Sequence, residues 1–197
     1  MACLKENTIM DKNVAELFKN SVKFSDVPRE VFNEYEDSVP NEVIEMWREY
    51  GFCCAEDGYF KILNPNDYID LIPDLYEMDE DESAIPIFGT GMGDIIFCDQ
   101  KEYFILIDIR HQNLEMIGKG FESALKHMNF PTLRQTLFSW NPYENAVKKL
   151  GIPTYQECFG YEPLLSLGGN ESVDNLRKVN LAVHLDIVSQ MQDPIEL

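Results

Sequence analysis

Apolar residues spaced three and four positions apart predict helices in the first part of the chain. Residues 11–22 show this spacing and indicate a short amphipathic helix. Residues 40–51 show it more clearly, with Val43 and Trp47 on one face. Gly51 stands where a residue in the left-handed conformation commonly ends a helix. The sequence therefore predicts two helices here, and the second ends at Gly51.

Continuous apolar runs predict strands in the middle of the chain. Residues 56–63 have the composition of a turn followed by a strand, and three β-like segments cover residues 84–89, 94–99 and 102–109. The runs IIF and YFILI are apolar throughout, which is typical of strands covered on both faces. Because few residues separate these segments, we expect an antiparallel meander. Residues 64–78 predict a helix that Pro73 ends or kinks.

Helical periodicity dominates the rest of the chain, in three successive segments within residues 118–151. Residues 163–167 predict a short strand. Residues 172–191 show the longest helical pattern, and its predicted apolar face consists of Leu176, Val179, Val183, Ile187 and Met191. The change of character near residue 118 predicts two parts, residues 1–118 and residues 119–197. The predicted fold class is α+β, with a central, mostly antiparallel sheet flanked by helices and then a mainly helical C-terminal subdomain.

The glycine-rich stretch GTGMGD, residues 89–94, invites comparison with phosphate-binding loops. A dinucleotide fingerprint needs a third glycine where this chain has Asp94, and it needs a helix afterwards, whereas a strand is predicted here. A P-loop needs a lysine, and the first lysine after the glycines is Lys101. We therefore predict a strand–turn–strand connection in this stretch and not a nucleotide site.

Composition places the chain among globular proteins, because 45% of its 197 residues are hydrophobic. No apolar run approaches the ~20 residues that span a bilayer. The first residues do not combine a basic segment with an apolar one, so a secretory signal is not expected. These features predict a soluble, cytoplasmic protein.

Charge is the feature of the composition that says most about possible partners. The formal net charge is −19, and residues 1–100 alone hold 23 acidic and 7 basic residues, a net charge of −16. Such a surface repels nucleic acid and anionic membranes and attracts a basic partner, although it also serves solubility alone. The densest acidic run is expected to be an exposed loop that docks a basic partner; its carboxylates are Asp74, Glu77, Asp79, Glu80, Asp81 and Glu82.

Few residues are specific for catalysis or for a cofactor. His111, His127 and His184 lack the spacing of metal ligands, and the five cysteines form no C-x-x-C pattern. We expect buried, reduced thiols, no metal and no cofactor. Carboxylates are numerous, so a carboxylate-dependent enzyme acting on a small molecule stays an alternative.

Two stretches of the chain resemble known bacterial domains. The front half resembles the GAD-like domain at Val39, Pro40, Trp47, Tyr50, Gly51, Phe52, Gly58, Phe60, Asn64, Pro65, Asp67, Tyr68, Pro86, Gly93 and Asp94. The back half resembles the DUF1851 C-terminal domain at Gly160, Tyr161, Pro163, Leu165, Leu167, Gly168, Gly169, Asn175, Leu176, Lys178, Val179, His184 and Leu185. The two resemblances occur in the expected order and span nearly the whole chain.

This pairing occurs in immunity proteins of type VI secretion systems that face DNase effectors. The resemblance implies a cytoplasmic antitoxin that binds and blocks a cognate toxin, expected to be a basic nuclease, with no enzyme activity, cofactor or catalytic residues of its own. It implies no direct binding to nucleic acid or membrane and leaves the oligomeric state open. The alternatives are a regulatory domain for another basic protein and the small-molecule enzyme named above.

Overall fold

The computed structural model describes residues 7–79 and 82–196 of the chain. Its centre is a seven-stranded antiparallel sheet whose strands follow one another in sequence order. The predicted meander is therefore confirmed, and further strands extend it on both sides. The strands are β1 (Val22–Ser25), β2 (Phe52–Ala55), β3 (Phe60–Ile62), β4 (Ala84–Thr90), β5 (Ile95–Asp99), β6 (Tyr103–Asp108) and β7 (Asn113–Lys119).

Helices surround this sheet, and a second, two-stranded sheet stands beside it. The second sheet pairs β8 (Glu157–Tyr161) with β9 (Leu176–Asn180) in antiparallel fashion. The helices are α1 (Asn7–Phe18), α2 (Arg29–Tyr35), α3 (Asn41–Tyr50), α4 (Ile72–Leu75), α5 (Phe121–Asn129), α6 (Pro131–Thr136), α7 (Trp140–Leu150) and α8 (Leu181–Ser189). The predicted α+β class, with its antiparallel sheet and helical C-terminal part, is confirmed.

The central strands are buried on both faces, because side chains alternate along a strand. On β5, Ile96 and Cys98 pack into one core cluster, whereas Ile95 and Phe97 pack into the other. Helices α1, α3, α5 and α7 contribute to the first cluster, and α4 and α8 to the second. Each cluster thus joins residues from both sides of residue 118, while the predicted division into two domains there stays a prediction.

The helix predicted over residues 40–51 is confirmed as α3. Gly51 has a φ of 68° and donates its backbone N–H to the carbonyl of Trp47 at 3.0 Å. A Cβ at this position would lie 2.4 Å from the carbonyl oxygen of Ser25. Glycine is therefore required both by the backbone conformation and by the neighbouring strand.

The glycine-rich stretch forms the turn between β4 and β5, as predicted. Thr90 donates its backbone N–H to the carbonyl of Asp94 at 2.9 Å, which closes the turn. Gly91 packs against the ring of Tyr143, and a Cβ on Gly91 would lie 2.3 Å from a ring carbon. Its carbonyl accepts the backbone N–H of Phe159 at 2.7 Å, which ties the turn to β8.

Two shorter predictions are wrong. Residues 64–78 form two 3₁₀ turns and then α4, and Pro73 is part of the first turn of that helix instead of its end. Proline fits there because the N–H groups of a first turn have no intrahelical partner. Residues 163–167 do not form a strand: Leu165–Leu167 form a 3₁₀ turn, and the strand of this region is β8.

The long helix predicted over residues 172–191 is also wrong. Its first part is β9, because cross-strand pairing with β8 overrides the helical spacing there. Asn180 then caps α8: its side-chain oxygen accepts the backbone N–H of Val183 at 3.1 Å. The predicted apolar face is not the buried one, since Val183, Ile187 and Met191 are 55%, 45% and 52% exposed. The buried side of α8 consists of Leu181, His184, Leu185 and Val188.

Candidate partner-binding surface

The predicted acidic run lies at the end of α4 and in the loop that follows it. Asp74 is exposed and belongs to α4, which corrects the expectation that the whole run is a loop. Glu77 and Asp79 are exposed in the loop, whereas Glu82 is half-buried. Glu80 and Asp81 lie outside the described residues. That these carboxylates dock a partner stays a prediction.

The C-terminal segment holds the start of this loop against the fold. Ile195 donates its backbone N–H to the carbonyl of Leu75 and accepts that of Glu77, both at 3.0 Å. The hydroxyl of Tyr76 donates to the carboxylate of Glu82 at 3.2 Å. Burial, together with the charge of Glu82, raises the pKa of Tyr76 to about 12. Glu77 therefore lies on a segment that backbone hydrogen bonds hold in place.

Acidic residues from other parts of the chain extend the negative surface. Glu34 of α2 and Asp70 are both exposed, and Asn66 donates its side-chain amide to Glu34 at 3.0 Å. Burial, and then the charges of Glu34 and Asp70, raise the pKa of Tyr35. The sequence does not signal the contact between Asn66 and Glu34, because the two residues are far apart along the chain.

A buried polar network links the two halves of the chain behind this surface. Asp94 and Arg110 form an ion pair, and Arg110 also donates to the hydroxyl of Ser139 at 2.9 Å. Burial raises the pKa of Asp94 to about 6, while the charge of Arg110 opposes the rise. Buried Lys61 donates to the carbonyls of Gly58 at 2.8 Å and of Thr154 at 3.0 Å. These contacts hold backbone and side chains of the two halves in place.

The histidines contact neighbouring groups of the fold or are buried in it, and the described cysteines are buried. His111 is partly exposed and bridges Asp108 at 2.7 Å and Glu171 at 3.3 Å. His184 is buried in α8, and His127 of α5 contacts the carbonyl of Ile117. The four described cysteines are free and buried, as predicted, and burial raises their pKa. Their thiols are therefore protonated near neutral pH.

Neither a metal site nor a membrane span is found in the described part of the chain. Among residues 7–79 and 82–196, no group of three His, Cys, Asp or Glu side chains could hold a metal ion. Within the same residues, no helix has the length and apolar character that crossing a membrane requires.

Comparisons with known proteins match both halves of the chain. The family model of the GAD-like domain matches residues 10–111. The family model described as "T6SS immunity protein Tdi1, C-terminal" matches residues 119–192. No curated protein sequence matches the chain.

A solved structure shares the fold. It is described as the crystal structure of Atu4351 from Agrobacterium tumefaciens, and it superposes with a TM-score of 0.75 over 91% of this chain and 88% of that chain. The two sequences are 16% identical. This likeness supports the architecture described above.

Proposed function

The chain belongs to the GAD-like family, and its residues 119–192 match the family model of the C-terminal domain of the T6SS immunity protein Tdi1; from this premise we propose that it binds and neutralises a toxin of a type VI secretion system. The family match of residues 119–192 is the observation that carries the proposal. The protein acts in the cytoplasm, where it protects the cell by forming a complex with its cognate toxin.

The toxin is a nuclease in this proposal. A nuclease must hold a polyanion, so its cleft is basic, and an acidic protein is attracted to such a cleft. The net charge of −16 within residues 1–100 and the exposed Asp74, Glu77 and Asp79 supply that attraction. Long-range attraction of this kind raises association rate constants towards ~10⁸ M⁻¹s⁻¹ or more at low salt.

Neutralisation by binding requires no chemistry from the immunity protein. It requires that the complex form quickly and dissociate slowly, and these two properties have different sources. Surface charge mainly accelerates association, whereas buried apolar and aromatic anchors slow dissociation. The acidic surface is thus expected to supply the first property, and apolar contacts the second.

The test is to co-express the chain with the product of the adjacent reading frame and to purify the complex. We expect a stable complex, protection of cells that express the toxin, and loss of DNA cleavage when the purified proteins are mixed. Failure of both binding and protection would contradict the immunity function. Protection against a toxin that cleaves no nucleic acid would retain the immunity function and overturn the nuclease.

A further inference from the structure

A groove of about 330 Å³ opens between α8 and the end of β8. All of its lining lies within residues 119–192, the segment that matches the immunity family. Most of the described lining is apolar, and it contains no lysine or arginine. The lining residues are Gly160, Tyr161, Glu162, Leu164, Val179, Asn180, Val183, His184 and Ile187.

One wall of the groove is an exposed apolar stripe. Val183 and Ile187 stand one helical turn apart on α8 and are 55% and 45% exposed. Met191 is also 52% exposed, but it lies just past the end of α8 and outside the described lining. Single exposed aliphatic residues are common, but a row of them beside an apolar groove marks an interaction surface.

A mostly buried histidine lies in the lining of this groove. The side chain of His184 lines it, and the residue is only 6% exposed. The ring fits there because Gly160 lacks a side chain: a Cβ on Gly160 would lie 2.7 Å from Cε1 of His184. The imidazole therefore offers a polar group to a ligand that enters the groove.

The protonation state of His184 fits this role. Burial, and then the charge of Arg110, lowers its pKa to about 4. The ring is therefore neutral at physiological pH and offers one N–H donor and one acceptor nitrogen. A phenol hydroxyl can use either nitrogen, and an indole N–H can use the acceptor.

The only carboxylate in the described lining is at the lip. Glu162 has a side chain that is 62% exposed, and Arg177 approaches it only to 3.8 Å. An exposed pair at this distance contributes little energy, so a cation from a partner can replace Arg177. The groove thus favours a segment with a basic residue beside an apolar anchor.

We propose that this groove is the anchor site for the toxin and that it receives a tyrosine or tryptophan side chain from a basic segment of that protein. The ring packs between Val183, Ile187 and Leu164, and its polar tip bonds to His184. A lysine or arginine next to the anchor pairs with Glu162. Aromatic residues with a polar tip are the usual anchors of protein interfaces, because they combine a large apolar area with one directed hydrogen bond. This inference rests on the proposed function. It identifies the contact that slows dissociation of the complex with the toxin.

A second copy of the chain is a poorer occupant than the toxin. Each copy has a net charge of −19, so two copies repel each other. Among the described lining residues, Glu162 adds a carboxylate and none is basic. Charge therefore favours a basic partner at this surface.

The test compares three variants with wild type for binding to the purified product of the adjacent reading frame. Val183→Asp and Ile187→Asp place a charge on the wall of the groove, and both positions are exposed, so the fold is retained. Met116→Asp is the matched control, because Met116 is 64% exposed on β7, outside the groove. We expect the two groove variants to weaken binding at least about 30-fold, mainly through faster dissociation, and the control to bind like wild type.

The outcomes separate this inference from the proposed function. If wild type binds no toxin, the proposed function fails and the anchor site fails with it. If wild type binds and both groove variants bind equally well, only the anchor site is overturned. Sedimentation adds a further outcome: a wild-type dimer that Ile187→Asp dissociates without loss of toxin binding would assign the groove to a second copy. Circular dichroism of each variant verifies that it is folded.

Discussion

Arg110 and Asp94 form a two-pronged ion pair that is closed off from solvent. The guanidinium Nε lies 3.0 Å from Oδ1 and Nη2 lies 2.9 Å from Oδ2. The two side chains are 3% and 0% exposed. Thr90 donates its hydroxyl to the same carboxylate at 2.9 Å, and Ser139 accepts from Arg110. The pair therefore fixes the β4–β5 turn to the end of β6 and to the start of α7.

Removing one member of this pair is expected to destabilise the fold strongly. Arg110→Met leaves the carboxylate of Asp94 buried without its counter-charge, so we expect the free energy of unfolding to fall by about 3–5 kcal/mol. The double variant Asp94→Leu with Arg110→Met should recover much of this loss, because neither charge remains. Urea unfolding followed by tryptophan fluorescence measures both changes. Asp26→Asn, which breaks the exposed pair with Lys23, serves as the control and should change little.

The contact between Gly91 and Tyr143 gives a second stability prediction. Gly91→Ala forces a methyl group into the ring of Tyr143, which is buried and donates its hydroxyl to the carbonyl of Asp57 at 2.5 Å. We expect a loss of about 1–3 kcal/mol in the free energy of unfolding. The same change in a Tyr143→Leu background should cost clearly less. Equal costs in both backgrounds would show that this ring is not what excludes a side chain at position 91.

The sequence predicts the sheet well because its signals are local. The apolar runs within residues 94–99 and 102–109 are separated by a short turn, so neighbouring segments can pair only as a hairpin. Gly51 and the β4–β5 turn are predicted for the same reason. The helix over residues 172–191 is mispredicted because pairing with β8, a non-local event, decides the structure of β9.

The candidate site is less visible from sequence than the sheet is. Val183 and Ile187 have the spacing of a core-facing stripe, and only the packing of Leu181, Leu185 and Val188 shows which side of α8 is buried. A histidine that lines a groove leaves no sequence pattern. The contact between Glu34 and Asn66 likewise depends on how α2 packs against a distant turn. In each case the missing information is tertiary packing, whereas the acidic run is visible because it is contiguous.

His184 predicts how stability depends on pH. Its pKa in the folded protein is about 4, below its ordinary value of 6.5, so the folded state binds the proton less readily than the unfolded state. The contribution of neutral His184 to the free energy of unfolding is therefore fully present above pH 6.5, and it is lost as the pH falls towards 4. The shift corresponds to about 3 kcal/mol.

The measurement compares wild type with His184→Gln by urea unfolding between pH 7 and pH 4. Other carboxylates titrate in both proteins, so the difference between the two unfolding free energies isolates His184. We expect this difference to move by about 3 kcal/mol in favour of the variant as the pH falls. Parallel profiles would show that the imidazole is not kept neutral by the fold.

The acidic surface predicts that capture of the toxin depends on salt and on position. Glu77→Gln with Asp79→Asn neutralises two exposed carboxylates of the predicted docking run. Glu122→Gln with Glu144→Gln is the matched control, because it removes the same charge from exposed positions on α5 and α7. We expect wild-type association to slow at least about 10-fold between low and high ionic strength, with little change in dissociation. The docking variant should associate more slowly than the control at low salt, and the two should converge at high salt. Stopped-flow fluorescence with the purified toxin measures these rates, and identical low-salt rates for the two variants would remove the docking role of the acidic run.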